Sequence, residues 1–267
     1  RDPEMSRGLG DVYKRQACIL QAKLGLERSC MAMDINLGCS GWVYGLSVLS
    51  SLMQTGNIKK AILLAGDARK QAKEELDHLF GYACTATALE YSKEAKPFYF
   101  DLGTDGTGYD AIIRPGGGCR NQFNEDSLKL ELCEDGRKRH AIQTRMKGMD
   151  VFAFGITTAP KSIKKLTANY EMDYTSFDYV ILHQANYKMT ETIRKKLKLD
   201  AEKMPYSMLH FGNTSSASIP LTIVTQLKGK IEDKPTKIIG CAFGVGLSWG
   251  TVAFETEHLL ISELVEV

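Results

Sequence analysis

Apolar positions along the chain alternate between long periodic stretches and short runs. Trp42, Val43, Leu46, Val48, Leu49, Leu52 and Met53 leave the segment 42–53 almost no polar side, which predicts a helix buried all round. Gly56 and Asn57 close it. Residues 187–199 predict an amphipathic helix with Met189, Ile193 and Leu197 on one face, and a helix from about Met149 contains Pro160. Residues 17–26 predict a short amphipathic helix. The short apolar runs predict buried strands at 31–35, at 61–65 and in "DYVILHQAN", the last ending at His183. "ATALEY" and "FYFDLGTDGTGYDAIIRP" read as further strands, with turns across 103–108 and a break at 115–118. Residues 119–140 are polar and irregular, as expected of a surface excursion.

Two segments share one order of elements. "MDINLGCSGWVYGLSVLSSLMQTGNIKKAILLAGD" and the stretch from "KMPYSMLHFGNTSSASIP" to "TKIIGCAFGVG" both run strand, Gly, polar residue, small residues, apolar helix, Gly, basic linker, strand. Gly38-Cys39 falls on Gly212-Asn213, and Gly56 falls within one residue of Gly229. An internal duplication follows, with Cys39 and Asn213 at facing helix N-termini.

Composition narrows the class. The 267 residues are 43% hydrophobic and 25% charged, ordinary for a globular protein. A net charge of +2 offers no general attraction to nucleic acid or to a membrane surface. No apolar run reaches the roughly 18 residues that span a bilayer. Seven scattered cysteines, none in a CxxC pair and none clustered with histidine, read as reduced cytoplasmic thiols; no metal site is expected. Asp101, Asp105 and Asp110 lack calcium-loop spacing and read as turn residues. The first sixteen residues, "RDPEMSRGLGDVYKRQ", are polar, Arg-rich and without periodicity. They resemble translated sequencing adapter, so the expectation is a native chain that begins inside a domain.

Chemistry concentrates at a few places. A thiol at a helix N-terminus meets unpaired N–H groups and the positive end of the macrodipole, which favour the thiolate nucleophile. Cys39 stands there among Gly38, Ser40 and Gly41, small enough to admit a carbonyl. A buried cysteine is also an ordinary small apolar residue, and that reading fits the other six. His183 ends a strand, where α/β folds collect active-site groups. Asn213 precedes a helix, as an ordinary N-cap also does. "FGVGLSWG" is a Gly-rich turn between strands that can present a backbone N–H to an oxyanion.

"ACILQAKLGL", "GCSGWVYGL", "LHQAN", "FGNTSSASIP" and "FGVGLSWG", in this order from about Ala17 to Glu255, resemble the β-ketoacyl-acyl-carrier-protein synthase III family of the thiolase superfamily. The resemblance implies a duplicated α/β/α/β/α fold of five layers whose first half is incomplete here. The halves would be 17–140 and 141–267, after a non-native leader over 1–16. It implies a homodimer without a cofactor, working on an acyl-CoA or acyl-carrier-protein primer and on malonyl-acyl carrier protein. Cys39 would carry the acyl group, while His183 and Asn213 would assist decarboxylation and stabilise the enolate. The N–H groups of Cys39 and Val245 would form the oxyanion hole, with Trp42 and Phe243 at the pocket. Lys188, Lys195 and Lys196 would steer the acidic carrier protein, although a solvated helix face also accounts for them.

The chain departs from the family at Tyr82, where an Asp usually follows "FG", and at Lys73-Glu74-Glu75, where an adenine-stacking Arg is usual. Two other functions stay open on this fold: acyl transfer to an alcohol or amine without condensation, and a non-catalytic partner subunit.

Overall fold

The computed structural model describes residues 16–67 and 79–266. Its centre is a four-stranded sheet in the order β3 (Tyr99–Thr104), β10 (Ser248–Thr256), β9 (Thr236–Gly244) and β8 (Tyr179–Leu182). β10 is antiparallel to both β3 and β9, whereas β8 runs parallel to β9. The runs "VIL" and "IIGCAFG" are continuously apolar because both faces of this sheet are covered. Successive side chains serve opposite cores. Val180, Leu182, Ile239, Cys241 and Phe243 face one core, while Ile181, Ile238 and Ala242 face the other.

The first core is closed by α3 (Gly148–Asn169) and α4 (Tyr187–Leu197), through Ile163, Leu166, Met189, Ile193 and Leu197. The second is closed by α2 (Gly41–Gln54) and α6 (Ser218–Thr222), which continues into a π-turn over Ile223–Leu227. A single turn, α5 (Met208–Phe211), precedes α6 in the chain. Beyond α2 and α6 lies a hairpin of β1 (Lys60–Asp67) and β2 (Ala83–Glu90). The order α3/α4, sheet, α2/α6, hairpin makes four layers of the α/β/α/β/α arrangement among the described residues.

Several expectations change. Residues 31–35 form no strand; no strand among the described residues pairs with them, and Met31 and Met33 are exposed. β1 exists but is buried on one face only: Leu63 and Ala65 pack inward, while Ile62 and Leu64 are 53% and 44% exposed. The same holds for α2, whose Val48, Leu49 and Leu52 are half-buried. The first helix, α1 (Gln16–Lys23), has no buried residue, and Ala17 N–H donates to Asp34 Oδ1 at 2.9 Å. The unit shared by the two halves is helix, strand, antiparallel strand (α2-β1-β2 and α6-β9-β10), because no strand precedes either helix directly. The turn glycines of the duplication do match: Gly56 and Gly229 have φ of +72° and +74°. β3, which lies before residue 140, pairs with β10 of the later half.

The excursion over 119–140 is irregular apart from a 3-10 turn over Glu125–Leu128, capped by Asn124, and a small hairpin of β5 (Glu131–Leu132) and β6 (Lys138–Arg139). It is flanked by the pair β4 (Ile112–Ile113) and β7 (Arg145–Met146). Asp105 caps a turn and Asp110 pairs with Lys147 at 2.8 Å. Asp101 is not a turn residue. It sits in β3 with its carboxylate buried, accepting from Ser162 Oγ at 2.7 Å, Lys165 Nζ at 2.6 Å and Trp249 Nε1 at 3.2 Å. Three donors compensate the burial of that charge.

Glu191 pins α4 to the chain at Tyr206. It accepts from Arg194 Nε at 2.8 Å and from the Tyr206 hydroxyl at 2.6 Å. Arg194 first, then Tyr206, holds its carboxyl down at about 2. A depressed carboxylate contributes stability above its unfolded value of roughly 4.3 and loses it as the pH falls toward the folded value. Wild-type protein should therefore lose stability between about pH 5 and pH 2, and Glu191→Gln should lose less over that interval. Urea midpoints measured for both proteins at pH 6 and pH 3 check this.

Candidate active site

Cys39 lies one residue before Ser40, the N-cap of α2, and is half-buried. Ser40 does not cap the helix with its side chain; its hydroxyl instead meets Ser248 Oγ at 2.8 Å, and Ser248 Oγ donates to the Val245 carbonyl at 2.6 Å. This chain of hydroxyls ties the start of α2 to the turn between β9 and β10. The tie brings Cys39 against β9. A Cβ built on Gly244 would stand 2.6 Å from Cys39 Sγ and 2.7 Å from Cys39 Cβ. A Cβ on Gly38 would reach Val245 Cγ2 at 3.4 Å and Ser215 Oγ at 3.9 Å, and one on Gly41 would reach Ser216 Cβ at 3.3 Å. The small residues around Cys39 thus let three chain segments converge.

His183 follows β8, and its N–H extends the ladder to the Cys241 carbonyl at 2.8 Å. The residue is 1% exposed. Its ring stands edge-on to Phe243, 5.9 Å between centroids, and its Nδ1 lies 2.8 Å from Ser218 Oγ. Phe243 is held in turn by α3: a Cβ on Gly155 would come within 2.7 Å of its ring. Gln184 ties the His183 turn to the segment that leads to Asn213. Its Nε2 donates to the Leu182 carbonyl at 2.7 Å, and its Oε1 accepts from Ser207 N–H at 3.0 Å.

Asn213 is clasped from both sides by backbone. Its N–H donates to the Leu79 carbonyl at 2.8 Å, and its carbonyl accepts from Gly81 N–H at 3.1 Å. Its side-chain Oδ1 accepts from Ser215 N–H at 3.0 Å, which turns the amide's NH2 outward from that bond. A Cβ on Gly81 would fall 1.7 Å from the Phe211 carbonyl oxygen, so this clasp requires glycine at 81. Tyr82 does not disturb it; its side chain is exposed.

Cys39 and Phe243 thus meet at the C-terminal end of β9, with Val245 in the turn beyond it and His183 just after β8, while Asn213 lies in the loop whose Ser215 and Ser216 come up to Gly38 and Gly41. Trp42 lies inside the second core, with its indole N–H donating to Thr87 Oγ1 at 2.9 Å. Lys188, Lys195 and Lys196 are exposed on α4. Lys188 lies over the Phe152 ring, and Lys196 donates to the Ile156 carbonyl at 2.9 Å. Lys73, Glu74 and Glu75 lie outside the described residues. None of the seven cysteines is in a disulfide, and no group of metal-ligating side chains occurs among the described residues. Buried Cys241, whose thiol desolvation pushes up to about 12, is a core residue. Sequence reasoning missed Ser218, Gln184 and Ser248, and took Ser40 only as a small neighbour of Cys39. All four stand inside the quoted motifs, but they meet partners distant in the chain.

Gly244→Ala should force Cys39 and β9 apart, and should slow alkylation of Cys39 by iodoacetamide at least about tenfold with a stability loss of about 1–3 kcal/mol. Peptide mapping of the alkylated protein, with a urea titration, checks both.

Comparison with known proteins accords with this geometry. Residues 33–106 match the family model described as 3-oxoacyl-[acyl-carrier-protein (ACP)] synthase III, and residues 167–256 match the model of its C-terminal part. The chain is 30% identical over 243 residues to the β-ketoacyl-[acyl-carrier-protein] synthase III of Clostridium acetobutylicum, covering 90% of this chain and 71% of that protein. It is 32% identical over 241 residues to the Synechocystis protein of the same name, covering 87% and 69%. The crystal structure of a 3-oxoacyl-(acyl-carrier protein) synthase from Burkholderia xenovorans superposes with a TM-score of 0.83 at 35% identity, over 94% of this chain and 71% of that one. With the motifs in order and the fold shared, the chain belongs to the 3-oxoacyl-[acyl-carrier-protein] synthase III family.

Proposed function

We propose that the protein catalyses a decarboxylating Claisen condensation of an acyl thioester with malonyl-acyl carrier protein, giving a 3-oxoacyl-acyl carrier protein in fatty acid biosynthesis. The observation that carries this reading is the close approach of Cys39 to the end of β9, where Phe243 stands edge-on to the His183 ring, with the loop that follows Asn213 coming up to Gly38 and Gly41.

The chemistry runs in two halves. Cys39 thiolate attacks the primer's thioester carbonyl, and the carrier thiol leaves with a proton, so the acyl group rests on sulfur. The positive end of a helix macrodipole favours an anion, which suits a thiolate beside the start of α2. Malonyl thioester then binds with its carbonyl oxygen toward His183 and Asn213. Loss of CO2 leaves an enolate whose charge sits on that oxygen, and fixed neutral donors stabilise it without reorganising. A carboxylate in either place would repel it. The enolate carbon attacks acyl-Cys39, forming the new C–C bond and releasing the Cys39 thiolate. N–H groups of Cys39 and Val245 receive the intermediate's oxyanion; a Cβ on Gly38 would meet the Val245 side chain, so the two segments run close together. Phe243 packs beside the nucleophile, Trp42 backs the pocket from the core, and Lys188 and Lys195 steer the acidic carrier. Lys196, already bonded to α3, contributes less.

His183→Ala and Asn213→Ala should each leave acyl transfer to Cys39 within about twofold and lower CO2 release from malonyl-acyl carrier protein about 10²–10³-fold. Single-turnover acylation and CO2 release, measured on the same preparations, check the split. Normal CO2 release in both variants would refute the assignment.

A further inference from the structure

We infer that Ser218 is a positioning residue that fixes the tautomer of His183. Its hydroxyl donates to Nδ1, so the ring proton resides on Nε2, the nitrogen left to face a substrate oxygen. This rests on the reading of His183 as a neutral hydrogen-bond donor.

The contact itself, 2.8 Å from Nδ1 to Ser218 Oγ, allows either direction. The surroundings decide it. Ser218 is 1% exposed, and among the described residues its hydroxyl has no hydrogen bond except this one. A buried O–H needs an acceptor, and Nδ1 offers one only when it carries no proton. Ser218's own carbonyl is taken by Thr222 Oγ1 at 2.8 Å, and the Thr222 hydroxyl is joined to Ser207 Oγ at 2.7 Å. That second pair of hydroxyls therefore makes no demand on the ring.

Charge argues the same way. In a Ser-His-Asp arrangement a carboxylate at Nδ1 holds the proton there and stabilises the imidazolium. Here the ring meets a hydroxyl and the edge of Phe243, while its backbone N–H goes to the Cys241 carbonyl. Asp101, the buried carboxylate of this sheet, is committed to Ser162, Lys165 and Trp249. Among the described residues no carboxylate is hydrogen-bonded to the His183 ring. The hydrogen bond at one ring nitrogen sets which form the other presents. Ser218 thus supplies the Nε2–H that a developing enolate requires, and it does so without making His183 a base.

The test is nitrogen NMR of protein labelled in its five histidines, with the His183→Gln spectrum subtracted to assign His183. Wild-type protein at neutral pH should show Nε2 protonated and Nδ1 as the acceptor. Ser218→Asp, which can only accept when ionised, should move the proton to Nδ1. Ser218→Ala, a good helix former at a helical position, should let both tautomers appear. CO2 release should fall about ten- to hundredfold in Ser218→Ala with Cys39 acylation unchanged. A wild-type proton on Nδ1, or an Ala variant with an unchanged spectrum, would overturn the assignment. The spectra need no substrate, so the expected tautomer in a protein that fails to decarboxylate malonyl thioesters would count against the proposed reaction and not against the role of Ser218.

Discussion

Cys39 reaches β9 because residue 244 has no side chain. That one close approach, with a Cβ at 244 falling 2.6 Å from the sulfur, sets the distance between the start of α2 and the end of the central sheet. Everything else at the site is arranged about it. The Ser40–Ser248–Val245 hydroxyl chain holds the two segments at that separation, and the small residues Gly38 and Gly41 admit the loop that carries Asn213. A nucleophile seated on a helix start and a rigid strand end, both fixed by backbone, loses little freedom when substrate binds.

The two donors are secured by different means. His183 is an extension of the β8–β9 ladder, so its place follows from sheet pairing, and Phe243 and Ser218 orient its ring. Asn213 belongs to no sheet, and the backbone of residues 79–81 substitutes for one by pairing both its N–H and its carbonyl. Gln184 couples the two turns. Neither side chain is an acid and each is hydrogen-bonded on its inner side, which suits a site that must stabilise negative charge without bringing any of its own.

Much of this is legible in the sequence. Apolar periodicity locates α2, α3 and α4, and Met189, Ile193 and Leu197 are the buried stripe it names. The continuous runs "VIL" and "IIGCAFG" announce strands covered on both sides. Gly56 and Gly229 betray the duplication through a left-handed turn that glycine adopts without strain. What is not legible depends on neighbours. The run 31–35 is apolar enough for a strand, yet a strand exists only where another pairs with it. Ile62 and Leu64 look buried by composition, but one face of the β1–β2 hairpin is exposed. Asp101 reads as a turn residue until Ser162, Lys165 and Trp249, all more than sixty residues away in sequence, are brought to it. Ser218 is one small polar residue among several in "NTSSAS", and its selection is a matter of three-dimensional direction.

The central claim is that Cys39 carries the acyl group between two substrates. The most direct measurement is the intact mass of the protein after incubation with acyl-CoA and acyl-carrier-protein thioesters, followed by malonyl-acyl carrier protein, with Cys39→Ala alongside. The account predicts a covalent acyl adduct, absent from Cys39→Ala, that malonyl-acyl carrier protein discharges as a 3-oxoacyl product. An adduct that persists in Cys39→Ala, or one that malonyl-acyl carrier protein leaves in place, would contradict it.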